Sequence, residues 1–251
     1  MGDGEIGEVK SYKHLGDIIT RNGTNGENIE MRVNKIKQAA RAVITCGRAE
    51  VMNKIEVKVI LRLHETVLMP TLLNNAESWT LTKTDNENLE KIEIWALKRI
   101  LNLPKTIPSV AVRFMTRTKY TKIRIDTKQM MFLHRMLQKD PSNGGLHFLR
   151  YLDKNEYGWA KKLREKMSQY EVCKDWNAIK SKSASQWKRE VSIATESKNI
   201  EKLIEDCHKI SGGIEKQKQK TKSIVECLDD PEFDWTMPDP VLSLSKSKLR
   251  V

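Results

Sequence analysis

From Asn25 onward apolar residues recur at steps of three and four, broken at intervals by proline or glycine. That period is the strongest limit on the fold, because it belongs to helices that bury one stripe. Ile29, Val33, Ile36, Ala40 and Val43 form the first stripe, and Gly47 is its natural stop. A second helix is predicted from Met52 to Leu68, with Ile55, Val59, Leu63 and Val67 inward and Pro70 ending or kinking it. In the third, Thr84 is the expected cap, with Asp85, Glu87 and Glu90 in the first turns and Lys98 and Arg99 in the last. Its buried side is Leu89, Ile92, Ala96 and Ile100, and Pro104 stops it. Three such helices on short connections predict a bundle.

Further helices are predicted at 108–117 and 122–139, the latter with Ile123, Met130, Leu133, His134 and Leu137 on its apolar side. Asp140 to Gly145 reads as a loop and subdomain boundary. Helices near 146–152, 156–169, 174–196 and 199–210 follow, anchored by Trp159, Trp176 and Trp187. Ser211-Gly212-Gly213 breaks the pattern and Lys216–Lys222 is basic. Asp229–Pro240 carries five acidic residues, three prolines and no Lys or Arg, so it reads as extended or disordered. The expected fold is mainly α: a three-helix bundle with a short N-terminal strand or hairpin and a helical C-terminal extension. The expected divisions are 1–23, a strand and turn; 24–107, the bundle; 108–210, the extension; and 211–251, a basic linker and largely disordered tail.

One stretch does not fit this pattern. Ser11 to Thr20 alternates like a β-strand, and Asn22-Gly23 looks like the turn that ends it. Nothing upstream offers a partner, so Val9 to Thr20 is expected to pair with a short local strand or to fray.

Charge points outward. With 45 Lys+Arg against 33 Asp+Glu, the net charge is +12, which favours a polyanionic partner, nucleic acid first. Lys54, Lys58 and Arg62 fall at i, i+4 and i+8, while Arg32, Lys35, Lys37 and Arg41 flank the first stripe. Rows like these can track phosphates, although any single lysine is more readily read as a solvated surface residue. The longest apolar run, Val67 to Leu73 around Pro70, is far shorter than the ~20 residues of a membrane span. The first residues carry no signal-peptide pattern, and Ile6 stands where a myristoylation site needs Ser or Thr. An intracellular protein, nuclear or cytoplasmic, is expected, with no membrane contact.

Enzymatic signals are thin. Cys46, Cys173, Cys207 and Cys227 lie too far apart for zinc spacing and read as reduced thiols. Asp229-Asp230 after Cys227-Leu228 imitates the paired carboxylates of a two-metal polymerase site, but Pro231 follows and no partner strand is visible. His14, His64, His134 and His147 stand alone, and no phosphate-binding glycine loop occurs. No catalytic residue, metal ligand or cofactor is assigned.

The order of motifs is more specific than any one of them. Tyr12-Lys13-His14-Leu15-Gly16-Asp17-Ile18-Ile19, then Asn28-Ile29-Glu30 with Arg32-Val33, resembles the downstream end of LINE-type non-LTR retrotransposon reverse transcriptases. In register follow Lys58, Ile60-Leu61, Val67 to Leu73 and Ala76-Glu77-Ser78-Trp79, then Leu89-Glu90, Leu97 to Leu101 and Pro108. The resemblance covers roughly residues 9–140, and more loosely 146–251, where Leu244–Val251 is similar to the basic stretch before a zinc knuckle. It implies a primer-grip strand followed by a thumb bundle that holds RNA or an RNA–DNA hybrid by its backbone. Tyr12, Leu15, Gly16, Arg32, Lys35, Lys54, Lys58 and Arg62 are the implied contacts. It also implies that the palm with its catalytic aspartates and Mg²⁺ would precede Met1, so the chain looks like a truncated copy, or a gene model, and polymerase activity is not expected.

Three departures stand out: His14 before Leu-Gly, Asn74-Asn75 in place of tyrosine-glycine, and Arg117-Thr118 where a glycine is usual. The alternatives are a non-enzymatic helical module, docking a protein on the face a palm would cover, and a functionless pseudogene product.

Overall fold

In the computed structural model the described residues are 8–14, 16–46 and 56–213. Expectations for Gly47, Lys54, Ile55, Leu15 and everything after residue 213 lie outside them. β1 (Ser11–His14) and β2 (Asp17–Thr20) form an antiparallel hairpin with Tyr12 opposite Ile19 and His14 opposite Asp17. The partner that the Ser11–Thr20 strand seemed to lack is its own second half. Gly16, at φ +87°, takes a left-handed conformation without a Cβ penalty and folds the run back on itself. The Asn22-Gly23 turn forms where predicted, with the Gly23 amide donating to Thr20 O at 3.0 Å.

α1 (Gly26–Cys46) buries Ile29, Ile36 and Ala40 and half-buries Val33 and Val43, as its stripe requires. The next rod departs from expectation. It comprises α2 (Val57–Leu63), a π turn (His64–Leu68) and α3 (Met69–Leu72), so the chain stays helical through Pro70. The Met69 amide donates to His64 O, five residues back. A widened turn just ahead of a proline relieves the clash of its ring with the preceding carbonyls, which an unbroken α-helix cannot do. Its buried face is Ile60, His64 and Leu68, whereas Val59 and Val67 are 47% and 39% exposed. The inward stripe is thus one residue on from the one predicted. The inward place goes to a histidine whose ring nitrogens lie 3.3 Å from Glu65 and 3.6 Å from Glu93, which a hydropathy pattern cannot show.

α4 (Lys83–Ile100) is capped by Thr82, not Thr84. Thr82 and Asp85 form a reciprocal capping box, and that geometry needs the acid three residues after the cap. Leu89, Ile92, Ala96 and Ile100 are buried as predicted. With α1 and the α2–α3 rod, this helix encloses the first core, which also takes in Leu68, Leu72, Trp79 and Leu97.

α5 (Ser109–Thr116) ends at Arg117 in the left-handed region, and α6 (Thr121–Leu137) follows. α6 joins the whole structure. Its Ile125 belongs to the first core; Met130, Leu133 and Leu137 belong to a second; and Ile123 packs in a third with Phe114, Tyr120, Leu203 and Cys207. Packing therefore runs without a gap across residues 107–108.

α7 (Gly144–Lys154), α8 (Gly158–Gln169) and α9 (Trp176–Ser181) surround the second core. α10 (Ala184–Gly213) is one helix, where two were expected with a glycine stop. Ser183 and Gln186 open it with a second capping box. Lys198 pairs with Glu201 at 2.8 Å across the expected break, where no proline or glycine interrupts. Trp187 is fully buried, donating from Nε1 to Met130 O at 3.0 Å, and Trp176 is buried beside it in the same core. Trp159 is half-buried and donates to Glu77 O at 3.0 Å, tying α8 to the bundle. Among the described residues no helix is long and apolar enough to cross a membrane.

A fork ties α6 to the π turn: Arg124 donates to both oxygens of Glu65, each at 2.6 Å. Burial works to raise the Glu65 pKa, but His64 and Arg124 outweigh it and hold the carboxyl at about 2, against 4.5 ordinarily. The folded pKa is the depressed one, so this pair stabilises the protein above pH 4.5 and that contribution fades as pH falls toward 2. Glu65 is 44% exposed, so after solvent screening the loss is only about 1 kcal/mol. Urea titrations from pH 6 to pH 2 are expected to show that component in the parent and not in Glu65→Gln.

Candidate functional site

The hairpin is held at one carboxylate. Asp17 accepts from Arg32 Nη2 at 2.6 Å through Oδ1 and from Asn75 Nδ2 at 2.5 Å through Oδ2. Arg32 Nη2 also donates to Gly16 O at 3.0 Å. The hairpin, α1 and the turn before the 3₁₀ segment (Ala76–Ser78) thus converge on one side chain. Arg32 is only 2% exposed. The sequence placed it among the phosphate contacts; the structure makes it a buried fastener, its charge taken up by Asp17. Helical spacing put Arg32 beside Lys35 but could not show that the hairpin covers one and not the other.

The remaining implied contacts stay near the surface. Lys35 is half-buried on α1, and Lys58 and Arg62 are exposed one turn apart on α2. None of the three has an ion-pair partner among the described residues. Tyr12 is 61% exposed and faces Ile19, itself 57% exposed, across the hairpin. Its ring lies 6.4 Å from that of His14. Gly16 supplies the turn and one carbonyl, with no side chain to offer. Leu15 and Lys54 lie outside the described residues.

A second constellation escaped the sequence reading. Glu93 on α4 is fully buried and accepts from Arg113 Nη2 of α5 at 2.6 Å and from Thr121 Oγ1 of α6 at 2.5 Å. His64 Nε2 lies 3.6 Å from its other oxygen, and His64 Nδ1 lies 3.3 Å from Glu65. His64 therefore does not stand alone, as it was expected to. Arg113 also pairs with Glu90 and donates to Lys119 O at 2.8 Å, with its guanidinium 4.5 Å from the Tyr120 ring centre. Glu90 is thus a pairing residue in the middle of α4 and not a first-turn charge. The signal was present: Glu90 and Glu93 lie at i and i+3 beside the apolar positions 89 and 92.

Beside this cluster opens a cavity of about 620 Å³ between α4, α5, the start of α6 and α10. Ile94, Val110 and Tyr120 give it apolar wall, and Lys91, Lys122 and Lys202 give it ammonium groups. Burial raises the Glu90 pKa, assisted by Glu93 and opposed by Arg113. Burial works against the charge of Arg113, but Glu93 and Glu90 prevail and strengthen its hold on the proton. The Tyr120 hydroxyl is pushed up by burial and by its bond to Asp206 at 2.8 Å. Burial lowers Lys202, against the pull of Glu90 and Asp206. Among the described residues no group of His, Cys, Asp or Glu could hold a metal ion.

Two stability outcomes follow from these fasteners. Arg32→Ala strands Asp17 and is expected to cost about 3 kcal/mol, with hydrogen exchange of residues 11–20 accelerating more than that of α6. Arg113→Met strands Glu93 and is expected to cost about 3 kcal/mol at neutral pH in urea melts. No protein-family model matches the chain, and neither a curated protein nor a solved structure matches it.

Proposed function

We propose that these residues are the grip and thumb segment of a retrotransposon-derived reverse transcriptase and bind the sugar–phosphate backbone of RNA or an RNA–DNA hybrid. The observation that carries this reading is backbone conformation. Asn75 has φ 58° and Arg117 φ 51°, both left-handed. Asn75 is a position where the resembled family carries glycine, and Arg117 belongs to the Arg117-Thr118 pair where a glycine is usual; glycine takes this conformation without strain. Asn75 compensates by donating to Asp17, and Arg117 lies at the end of α5. A hairpin turning on Gly16 and docked on a three-helix bundle is also the order that a primer grip and thumb require.

In this reading Lys35, Lys58 and Arg62 neutralise phosphates, and the exposed Tyr12 offers a ring against the sugar edge or a terminal base. Arg32 positions the hairpin from beneath. The proposal is binding and not synthesis, because the matching residues belong to the grip and thumb; Mg²⁺ chemistry in the family belongs to its palm.

Tyr12 and Ile19, exposed and opposite one another on the hairpin, favour a second reading, in which that face docks a protein. A labelled RNA–DNA hybrid titrated across a salt series separates the two. Backbone binding predicts a log–log salt slope that falls by about 2–3 when Lys35, Lys58 and Arg62 are together changed to alanine. Absence of binding at about 50 mM salt, where phosphate contacts are strong, would sink the nucleic-acid reading.

A further inference from the structure

The 620 Å³ cavity between α4, α5 and α10 shares no lining residue with the surface proposed to meet nucleic acid. Its charges are unevenly occupied. Glu90 is paired with Arg113 and accepts the Lys122 backbone amide at 3.1 Å. Asp206 accepts the Tyr120 hydroxyl and lies 3.5 Å from Lys209. The lysines are different: Lys83, Lys91, Lys122 and Lys202 have no carboxylate at ion-pair distance among the described residues. Lys202 Nζ lies 3.9 Å from the Tyr120 ring centre, partly withdrawn from water. Glu87 is the one lining carboxylate without a partner among the described residues. Apart from the groups already satisfied, the cavity therefore presents apolar wall and a surplus of ammonium groups.

We infer that this cavity is a binding site for a small aromatic anion, its ring body against Ile94 and Val110 and its carboxylate, sulfonate or phosphate among Lys91, Lys122 and Lys202. A volume of 620 Å³ lies within the range of small-molecule sites, where apolar walls supply affinity and a few charged groups fix orientation. Neither feature suffices alone. A purely hydrophobic guest leaves the ammonium groups partly desolvated and unpaired, and a compact inorganic ion leaves the apolar wall wet. A guest with both features satisfies both, and an ion pair in a partly desolvated site is stronger than one in open water.

The probe is 8-anilinonaphthalene-1-sulfonate, titrated by fluorescence into the full chain, with far-UV circular dichroism checking that each variant is folded. One site is expected, weakened about tenfold by Lys202→Met, which keeps the stem and removes one charge-assisted contact. Val110→Trp fills the cavity from its wall and should abolish the site, while Lys58→Met on α2 should leave it unchanged. N-phenyl-1-naphthylamine, the same ring system without the sulfonate, should bind at least tenfold more weakly, by the same charge-assisted contact. The inference is overturned if the probe does not bind, if folded Lys202→Met and Val110→Trp bind as the parent does, or if the neutral compound binds equally well. Hybrid binding is read separately, so loss of one result leaves the other standing.

Discussion

The buried contact between Glu93 and Arg113 is the constraint around which the rest of the molecule is arranged. A carboxylate with no exposure is tolerable only if its charge is matched and it accepts hydrogen bonds. Here the match requires an arginine from α5 and a hydroxyl from α6 to arrive at one oxygen of Glu93 on α4. That demand sets the sharp end of α5: the left-handed Arg117 brings the chain round so that Lys119 O and Thr121 reach the same cluster. The cavity beside α10 lies next to this crossing, lined by Glu90 and Arg113 themselves.

Asp17 plays the corresponding part for the hairpin. A two-stranded hairpin with one wholly exposed strand is marginal in water. Arg32 and Asn75 supply what the hairpin cannot supply for itself, and in doing so they remove Arg32 from the surface. Two polar knots, at Asp17 and Glu93, thus fix the hairpin and the α4–α6 crossing. The apolar cores supply the bulk of the burial around them.

Much of this was legible in the residues. The stripes of α1, α4 and α6 name their buried positions correctly, because a helix that buries one face must repeat every three or four residues. Other features were legible but passed over. Thr82 and Asp85, and Ser183 and Gln186, are capping boxes written in the sequence at the required spacing. Glu90 and Glu93 beside the apolar face of α4 mark buried acids that need a cation. The π turn was not legible, since a proline in a helical pattern is compatible with a stop, a kink or a widened turn. Whether Lys35 or Arg32 faces solvent was equally hidden, for both lie in the polar flank of one stripe.

By itself the sequence determined that this protein is mainly helical, where its principal turns fall, and that it carries a surplus of positive charge. Those properties depend on local backbone preference and on the period of apolar residues, which act between near neighbours in the chain. The tertiary structure alone decided which charges are spent and which are free. Arg32 and Arg113 find their carboxylates 15 and 20 residues away, while Lys58, Arg62 and Lys202 find no ion-pair partner among the described residues. A charge becomes a fastener or a binding group according to what packs over it, and only the assembled helices determine that.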